Sequence, residues 1–270
     1  MRVNEDYIHA FITRFNIASP GRESDLRNRP GWLARRFEIF EKFTVPSMSS
    51  QTDQKFYWII LFDKDTPEEF RRRIEASRQK APFIPYYTGF FDSRGWAEAV
   101  LMSLSARPQW ILTTRLDNDD GLSTCHVERL HSAVEGVHPE RCAFNFLNGY
   151  ILNKNRLYFQ RHPKNAFFSL LEPMNETMCT ANSIKHMELH KHVPIRQIGG
   201  RGGWLQVVHG ENVSNKIRGW RVPASHADGL FPEHLLESAN SPNATTRLLE
   251  NVFLFPVRSA RDGLLSLRHR

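Results

Sequence analysis

An α/β fold built on a mostly parallel central sheet is predicted by three observations. Two nearly continuous apolar runs, FYWIILF at 56–62 and WILTT at 110–114, are too uniform for strands with one wet face and suit strands covered on both sides. Each run ends in acidic residues, Asp63 in the first case and Asp117, Asp119 and Asp120 in the second. Between and around them, strand-like and helix-like segments alternate, the order of a sheet whose crossovers are helices.

The elements follow in order. YIHAFITRF (7–15) is rich in β-branched and aromatic residues and reads as a first strand, followed by the Gly/Pro/Ser loop IASPGRESD. In WLARRFEIFEKFTVPS, Trp32, Leu33, Phe37, Phe40 and Phe43 recur at helical spacing, and Pro46 marks the expected end. The run to Phe62 is the second strand, with a helix starting near Thr66-Pro67-Glu68. PFIPYYTGF reads as a shorter third strand, and SRGWAEAVLMSLSA as a helix with Trp96, Val100, Leu101 and Leu104 on one face. WILTTRLDNDD then repeats the pattern of a strand ending in carboxylates.

From Cys142 the texture becomes α+β. CAFNFLNGYILNKNRLYFQR reads as a hairpin turning at Asn153 to Asn155, HMELHKH as part of a helix, and GGWLQVVHGENVSN as a short strand with polar turns. The helical stretch NATTRLLENVFLF lies in the tail. With no Gly-, Ser- or Pro-rich linker, the chain reads as one domain: a lobe at 1–140, a second at 141–225 and a C-terminal extension at 226–270.

With 270 residues, 40% of them hydrophobic, the chain can bury a large core. No apolar stretch reaches membrane-spanning length, and MRVNEDYIHAF lacks the pattern of a signal peptide, which predicts a cytoplasmic protein. On that expectation the sequons at Asn175, Asn212 and Asn243 carry no glycans. Cys125, Cys142 and Cys179 are three in number without CxxC spacing, which argues against a disulfide framework or a zinc ribbon. The net charge of +7 suits an anionic partner: a phosphorylated substrate or an anionic membrane face. The basic residues are scattered and no aromatic-basic module is visible, so no nucleic acid is expected. GxGxxG, GxxxxGK[ST] and GxSxG are absent, which removes the common dinucleotide, P-loop and hydrolase-elbow classes.

In a sheet of this kind ligands bind at the carboxyl ends of the strands, so both acidic clusters fall at the expected site. Three like charges together are tolerable if solvated, used as helix caps, or neutralised by a cation. An Asp capping the helix that runs into Val127 and Leu130 accounts for one of them. Mg²⁺ or Mn²⁺, held by one or two carboxylates, water and substrate phosphates, accounts for the rest. Asp63 is either a turn residue or a partner for a base or ribose hydroxyl. Arg14, Asn16 and Arg115 also sit at strand ends, where an arginine fork suits a diphosphate or a neighbouring aspartate. His209 is a structural hydrogen-bonder, an extra manganese ligand or a phosphate partner, whereas His186, His190 and His192 read as a surface face.

In order, TRFN, FEKFTVPSMSSQT, FYWIILFD, TTRLDNDDGL and WLQVVHGENVSN resemble the bacterial rhamnosyltransferase family of GT-A glycosyltransferases, from about Ile12 to Asn215. That resemblance implies a GT-A-like, nucleotide-diphospho-sugar transferase fold with a smaller acceptor-side lobe. It implies Asp63 near the base or ribose, Asp117 and Asp119 as the DXD pair, Asp120 as a further ligand and His209 completing the metal site. The donor would be a dTDP-, UDP- or GDP-sugar, and the acceptor a glycan or lipid-linked hydroxyl. Unlike the common pattern, Asp63 stands alone before Lys64 and no Glu-Asp base motif is clear. If the reaction inverts the anomeric centre, a base must take the acceptor proton, and Glu172 and Glu211 are the candidates. Trp204 and Tyr150 are candidates to stack on a sugar, with core packing as the alternative. The competing class is a non-catalytic binding protein that keeps the fold.

Overall fold

The computed structural model describes residues 7–17, 27, 29–89, 95–136, 140–175, 177–209 and 217–254. Twelve strands are defined among these residues. They are β1 (Tyr7–Arg14), β2 (Tyr57–Asp63), β3 (Ile84–Thr88), β4 (Trp110–Arg115), β5 (Gly121–Leu122) and β6 (Cys142–Phe146). The remainder are β7 (Asn148–Asn153), β8 (Arg156–Arg161), β9 (Phe168–Pro173), β10 (Ile195–Ile198), β11 (Trp204–Val208) and β12 (Trp220–Val222).

The main sheet has the order β10-β6-β9-β4-β1-β2-β3. β3, β2, β1 and β4 pair in parallel, and β6 and β10 run the same way; β9 alone is antiparallel. This is the mixed α/β, mostly parallel architecture expected of the fold. β1 and β2 are buried through their centres because both faces are covered. Phe11, Trp58, Ile60 and Phe62 pack with Phe37, Phe40, Val127 and Leu130 on one side. Ala10, Ile12, Ile59 and Leu61 pack with Ala99, Val100 and Leu104 on the other. Apolar side chains alternating to two buried faces produce the unbroken hydrophobic runs.

The second sheet, β12-β8-β7-β11-β5, buries Tyr150, Leu152, Leu205 and Val207 against Phe43 and the segment around Leu230, Phe231 and Leu235. Two glycines permit close approach, Gly149 within the second sheet and Gly203 where that sheet meets β6 of the main one. A Cβ on Gly149 would stand 2.0 Å from the Trp204 ring, and one on Gly203 would stand 2.3 Å from Phe146.

Several local expectations change. The helix from Trp32 does not stop at Pro46: it runs α over Trp32–Ile39, π over Phe40–Thr44 and α again over Val45–Ser49. The Val45 N–H bonds back to the Phe40 carbonyl. This wider turn places Pro46 at the start of the last α segment, where its missing N–H is tolerated. The hairpin beginning at Cys142 is a true hairpin only for β7 and β8; β6 belongs to the main sheet, and the chain changes sheet at Leu147. HMELHKH forms only the short 3₁₀ turn Leu189–Lys191. No aspartate caps the helix His126–Glu135, whose N-cap is Cys125.

Candidate active site

β1 lies between β2 on one side and β4 on the other, so the strand order reverses direction between β1 and β4. A crevice opens at the carboxyl ends of strands around such a switch point. The register puts Ile12 beside Arg115 and Arg14 beside Leu61, so the predicted residues of three strands emerge at one edge.

Asp119 is the centre of this group. Its Oδ2 accepts from Arg36 Nη1 at 2.9 Å and lies 2.9 Å from His209 Nε2. Arg36 Nη1 also donates to Asn118 Oδ1 at 3.2 Å, and Asn118 Nδ2 donates to the carbonyls of Arg14 and Phe15. The loop after β4 is thereby tied to the end of β1. Asp117 is more exposed and pairs with Arg115 at 3.1 Å. Burial alone would raise its carboxyl pKa, but Arg115, with Arg14 and Arg36 beyond, holds it below the ordinary value.

Asp120 has a different task. Its Oδ1 accepts the Val207 N–H at 2.8 Å, and its carbonyl accepts from Thr44 Oγ1 at 2.8 Å. It fastens β11, and with it His209, to the site. Burial pushes its pKa well up, with Asp119 and Asp117 adding to the effect.

Asp63 is buried at the end of β2. Oδ1 accepts the Asp65 N–H at 2.8 Å, Oδ2 pairs with Arg27, and the Asp63 N–H donates to Asn16 Oδ1 at 3.0 Å. Asn16 Nδ2 donates to Thr66 Oγ1, which donates to the Asp63 carbonyl. Asn16 therefore works through its neighbours, locking β1 to the turn after β2.

Other predicted residues stand elsewhere. Glu172 pairs in register with Ile111 at the amino end of β4, the opposite end from Asp117. Its buried carboxylate accepts the Thr180 N–H at 2.7 Å and the Cys179 N–H at 3.3 Å, with Arg141 at 3.4 Å. It braces the turn at Thr180, whose φ of 63° is strained for a β-branched residue. Trp204 and Tyr150 are core residues and not sugar platforms. Trp204 stacks on Phe167 at 5.1 Å between ring centroids and donates to the Phe146 carbonyl, while Tyr150 binds His226 through its hydroxyl. Both are buried, and neither offers a face to a sugar. Glu211 and Asn212 lie outside the described residues.

Two residues not singled out from sequence join the site, Arg27 at Asp63 and Arg36 at Asp119, and His186, expected on a surface face, lies near enough to Arg115 and Asp117 to feel both charges. His186 is not part of a solvated face. It is half-buried, and burial first, then Arg115, lowers its pKa, with Asp117 opposing.

Residues 9–221 match the family described as "Putative rhamnosyl transferase". The chain belongs to that family. No curated protein matches it. Among solved structures, Staphylococcus aureus TarS 1–349 in complex with UDP-GlcNAc is similar with a TM-score of 0.49 and 7% identity, over 78% of this chain and 62% of that one. The inositol-1-phosphate CTP transferase of T. maritima is similar with a TM-score of 0.37 and 10% identity, over 77% and 92%. Against a longer TarS chain the match spans 37% of its length. These likenesses are distant.

Among the described residues no three His, Cys, Asp or Glu side chains are grouped to enclose a metal. Asp117 turns to Arg115, and the predicted set of Asp117, Asp119 and His209 is not assembled. Asp119 and His209 alone fit a cation. Hydrogen-bonded to each other at 2.9 Å, with Arg36 on the same carboxylate oxygen, they are the carboxylate and imidazole that a hard divalent cation would use after displacing those bonds. Two protein ligands suffice where phosphates and water supply the others. No helix among the described residues is long and apolar enough to cross a membrane.

Proposed function

We propose that this protein is a glycosyltransferase that moves a sugar, rhamnose in keeping with its family, from a nucleoside diphosphate to a hydroxyl of a glycan or lipid-linked acceptor. The observation that carries this reading is the convergence of Asp63, Asn118, Asp119, Arg36 and His209 at the carboxyl ends of β1, β2 and β4. Breaking the bond to the sugar leaves negative charge on the departing diphosphate. Guanidinium groups already fixed by Asn118, Asp119 and Asp117 stabilise that charge without reorganising.

Asp63, with its backbone N–H held by Asn16, takes the base or ribose side of the donor. Asp119 and His209 would hold Mn²⁺ or Mg²⁺, which when bound supplies a Lewis acid for the diphosphate oxygens. Glu172 is not the base for the acceptor proton, because it stands at the other end of the strands. The net charge of +7 suits work at an anionic membrane face that carries the acceptor, on the cytoplasmic side where the sequence expectation puts it.

The deciding experiment is thermal shift with UDP, GDP and dTDP, each with and without Mn²⁺ or Mg²⁺, followed by donor hydrolysis with the stabilising nucleotide's sugars. Stabilisation by one nucleotide, strengthened by metal and lost in Asp119→Ala, is expected. If no nucleotide stabilises the fold and no donor is cleaved, the protein is a binding module and the reading fails.

A further inference from the structure

Two buried donors beside Asp119 have no acceptor. Arg36 uses Nη1 to hold Asn118 and Asp119, yet its Nε is buried and unbonded. Trp32, one helical turn earlier, is buried, and its indole Nε1–H is also unbonded. The Arg36 guanidinium carbon stands 5.3 Å from the centroid of the Trp32 ring, so the two donors share one locality. An unmet buried N–H costs about 1–3 kcal/mol, which an oxyanion accepting from both would recover.

We propose that Arg36 and Trp32 form the seat for the donor's diphosphate. This rests on the donor-site reading above and adds residues to it. Nη1 lies on one edge of the guanidinium and is spent on Asn118 and Asp119. The Nε edge is the one that grips an oxyanion side-on, and the anchored Nη1 fixes its direction. The Trp32 Nε1–H adds a neutral donor for a second oxygen. An aromatic ring under the guanidinium keeps it flat and shielded from water, which strengthens its hold on an anion. Both residues lie on the helix Trp32–Ile39, and Arg36 is the link between that helix and the loop after β4. A phosphate bound there lies beside the Asp119–His209 pair, where a divalent cation would share its oxygens.

The test is titration calorimetry of the full chain, in Mg²⁺, with nucleosides, nucleoside diphosphates of uracil, guanine and thymine, and inorganic pyrophosphate. Trp32→Phe keeps the ring and removes one donor; Arg36→Lys keeps the charge and removes the side-on fork. Each is expected to weaken diphosphate and pyrophosphate binding about tenfold while leaving nucleoside binding unchanged; Trp32→Phe, which removes an unmet buried donor, should not lower the melting temperature, whereas Arg36→Lys also gives up bonds to Asn118 and Asp119 and should lower it. Equal losses for nucleoside and diphosphate, or none for either, would overturn the seat. If a nucleoside diphosphate binds wild type and both variants alike, the seat fails and the donor reading stands. If pyrophosphate binds and is lost in both variants but no nucleoside diphosphate binds, the donor reading fails and the seat stands. If wild type binds neither, both fall.

Discussion

His209 Nε2 and Asp119 Oδ2 meet at 2.9 Å although 90 positions separate them in the chain. The contact depends on β11 pairing with β5 and β7, and on Asp120 capturing the Val207 N–H two residues before His209. The second sheet thus delivers one imidazole to a site otherwise made by the first.

That arrangement makes His209 testable apart from the fold. His209→Ala should lower metal-dependent nucleotide stabilisation at least tenfold in apparent affinity, and leave metal-free stability within about 1 kcal/mol because the side chain is near the surface. Asp119→Asn should abolish the metal effect and loosen Arg36. Thermal shift across a manganese titration reads both; an unchanged manganese response in both variants would show that the pair holds no cation.

Asp120→Ala should act differently. Losing the acceptor for a buried N–H costs about 1–3 kcal/mol and releases β11, so stability and nucleotide binding should fall together. Asp120→Asn keeps an oxygen for Val207 and removes a buried charge beside Asp119. It should be at least as stable as wild type at neutral pH in urea unfolding, and a marked loss in the Asn variant would contradict this account.

Much of the site follows from one rule visible in the sequence: apolar run, then carboxylate, at the end of a parallel strand. Asp63 and the Asp117–Asp120 cluster obey it. Glu172 in SLLEP has the same appearance and breaks the rule, since β9 is the antiparallel strand and its end points the other way. Strand direction is a property of topology and not of a local motif. Arg36 was illegible for a related reason: an arginine on an amphipathic helix looks like solvent-facing charge until the loop it reaches is known. Trp204 and Tyr150 look alike in a sugar site or a core, and the glycine at 149, which lets the Trp204 ring in, decides for the core.

Gly149 therefore offers a packing test. Its Cβ would stand 2.0 Å from the Trp204 ring, which is itself stacked on Phe167. Gly149→Ala should destabilise by about 1–3 kcal/mol or more, and Trp204→Ala by about 3–5 kcal/mol. Urea unfolding gives both values. An acceptor KM effect in Trp204→Phe without loss of stability would instead restore a sugar-stacking role.

Acid should unfold the protein through histidines that cannot be charged where they sit. Burial, then Arg129 and His131, outweighs the Gly203 carbonyl and holds the His126 pKa at about 3. Burial, then His131, lowers His9 far below its ordinary value, and burial, then Arg218, lowers His162 to about 4. In the unfolded chain each takes a proton near pH 6.5, so the unfolded state binds more protons below that pH. Stability is then full above about pH 6.5 and falls as pH drops toward 4, by up to about 1.4 kcal/mol per unit for each histidine. His126→Gln, whose amide can still donate to Gly203, should reduce that slope by about one proton in unfolding measured from pH 7.5 to 5. A slope unchanged by the substitution would mean that His126 is charged in the native protein.

Glu172 supplies the sharpest contrast with the aspartates. It is buried, shares no end of the sheet with them, and spends its oxygens on the Thr180 and Cys179 N–H groups and on Arg141. Glu172→Gln keeps one acceptor for Thr180 but places an NH₂ where an N–H or a guanidinium now points. The strained turn at Thr180 should loosen, costing about 1–3 kcal/mol. Nucleotide affinity should stay within twofold of wild type, because β4 still presents Asp117 and Asp119 at its far end. Turnover measured below the variant's melting transition should likewise be unchanged. A large fall in turnover with stability intact would return Glu172 to the list of candidates for the base, and would require the acceptor to reach the amino end of the sheet.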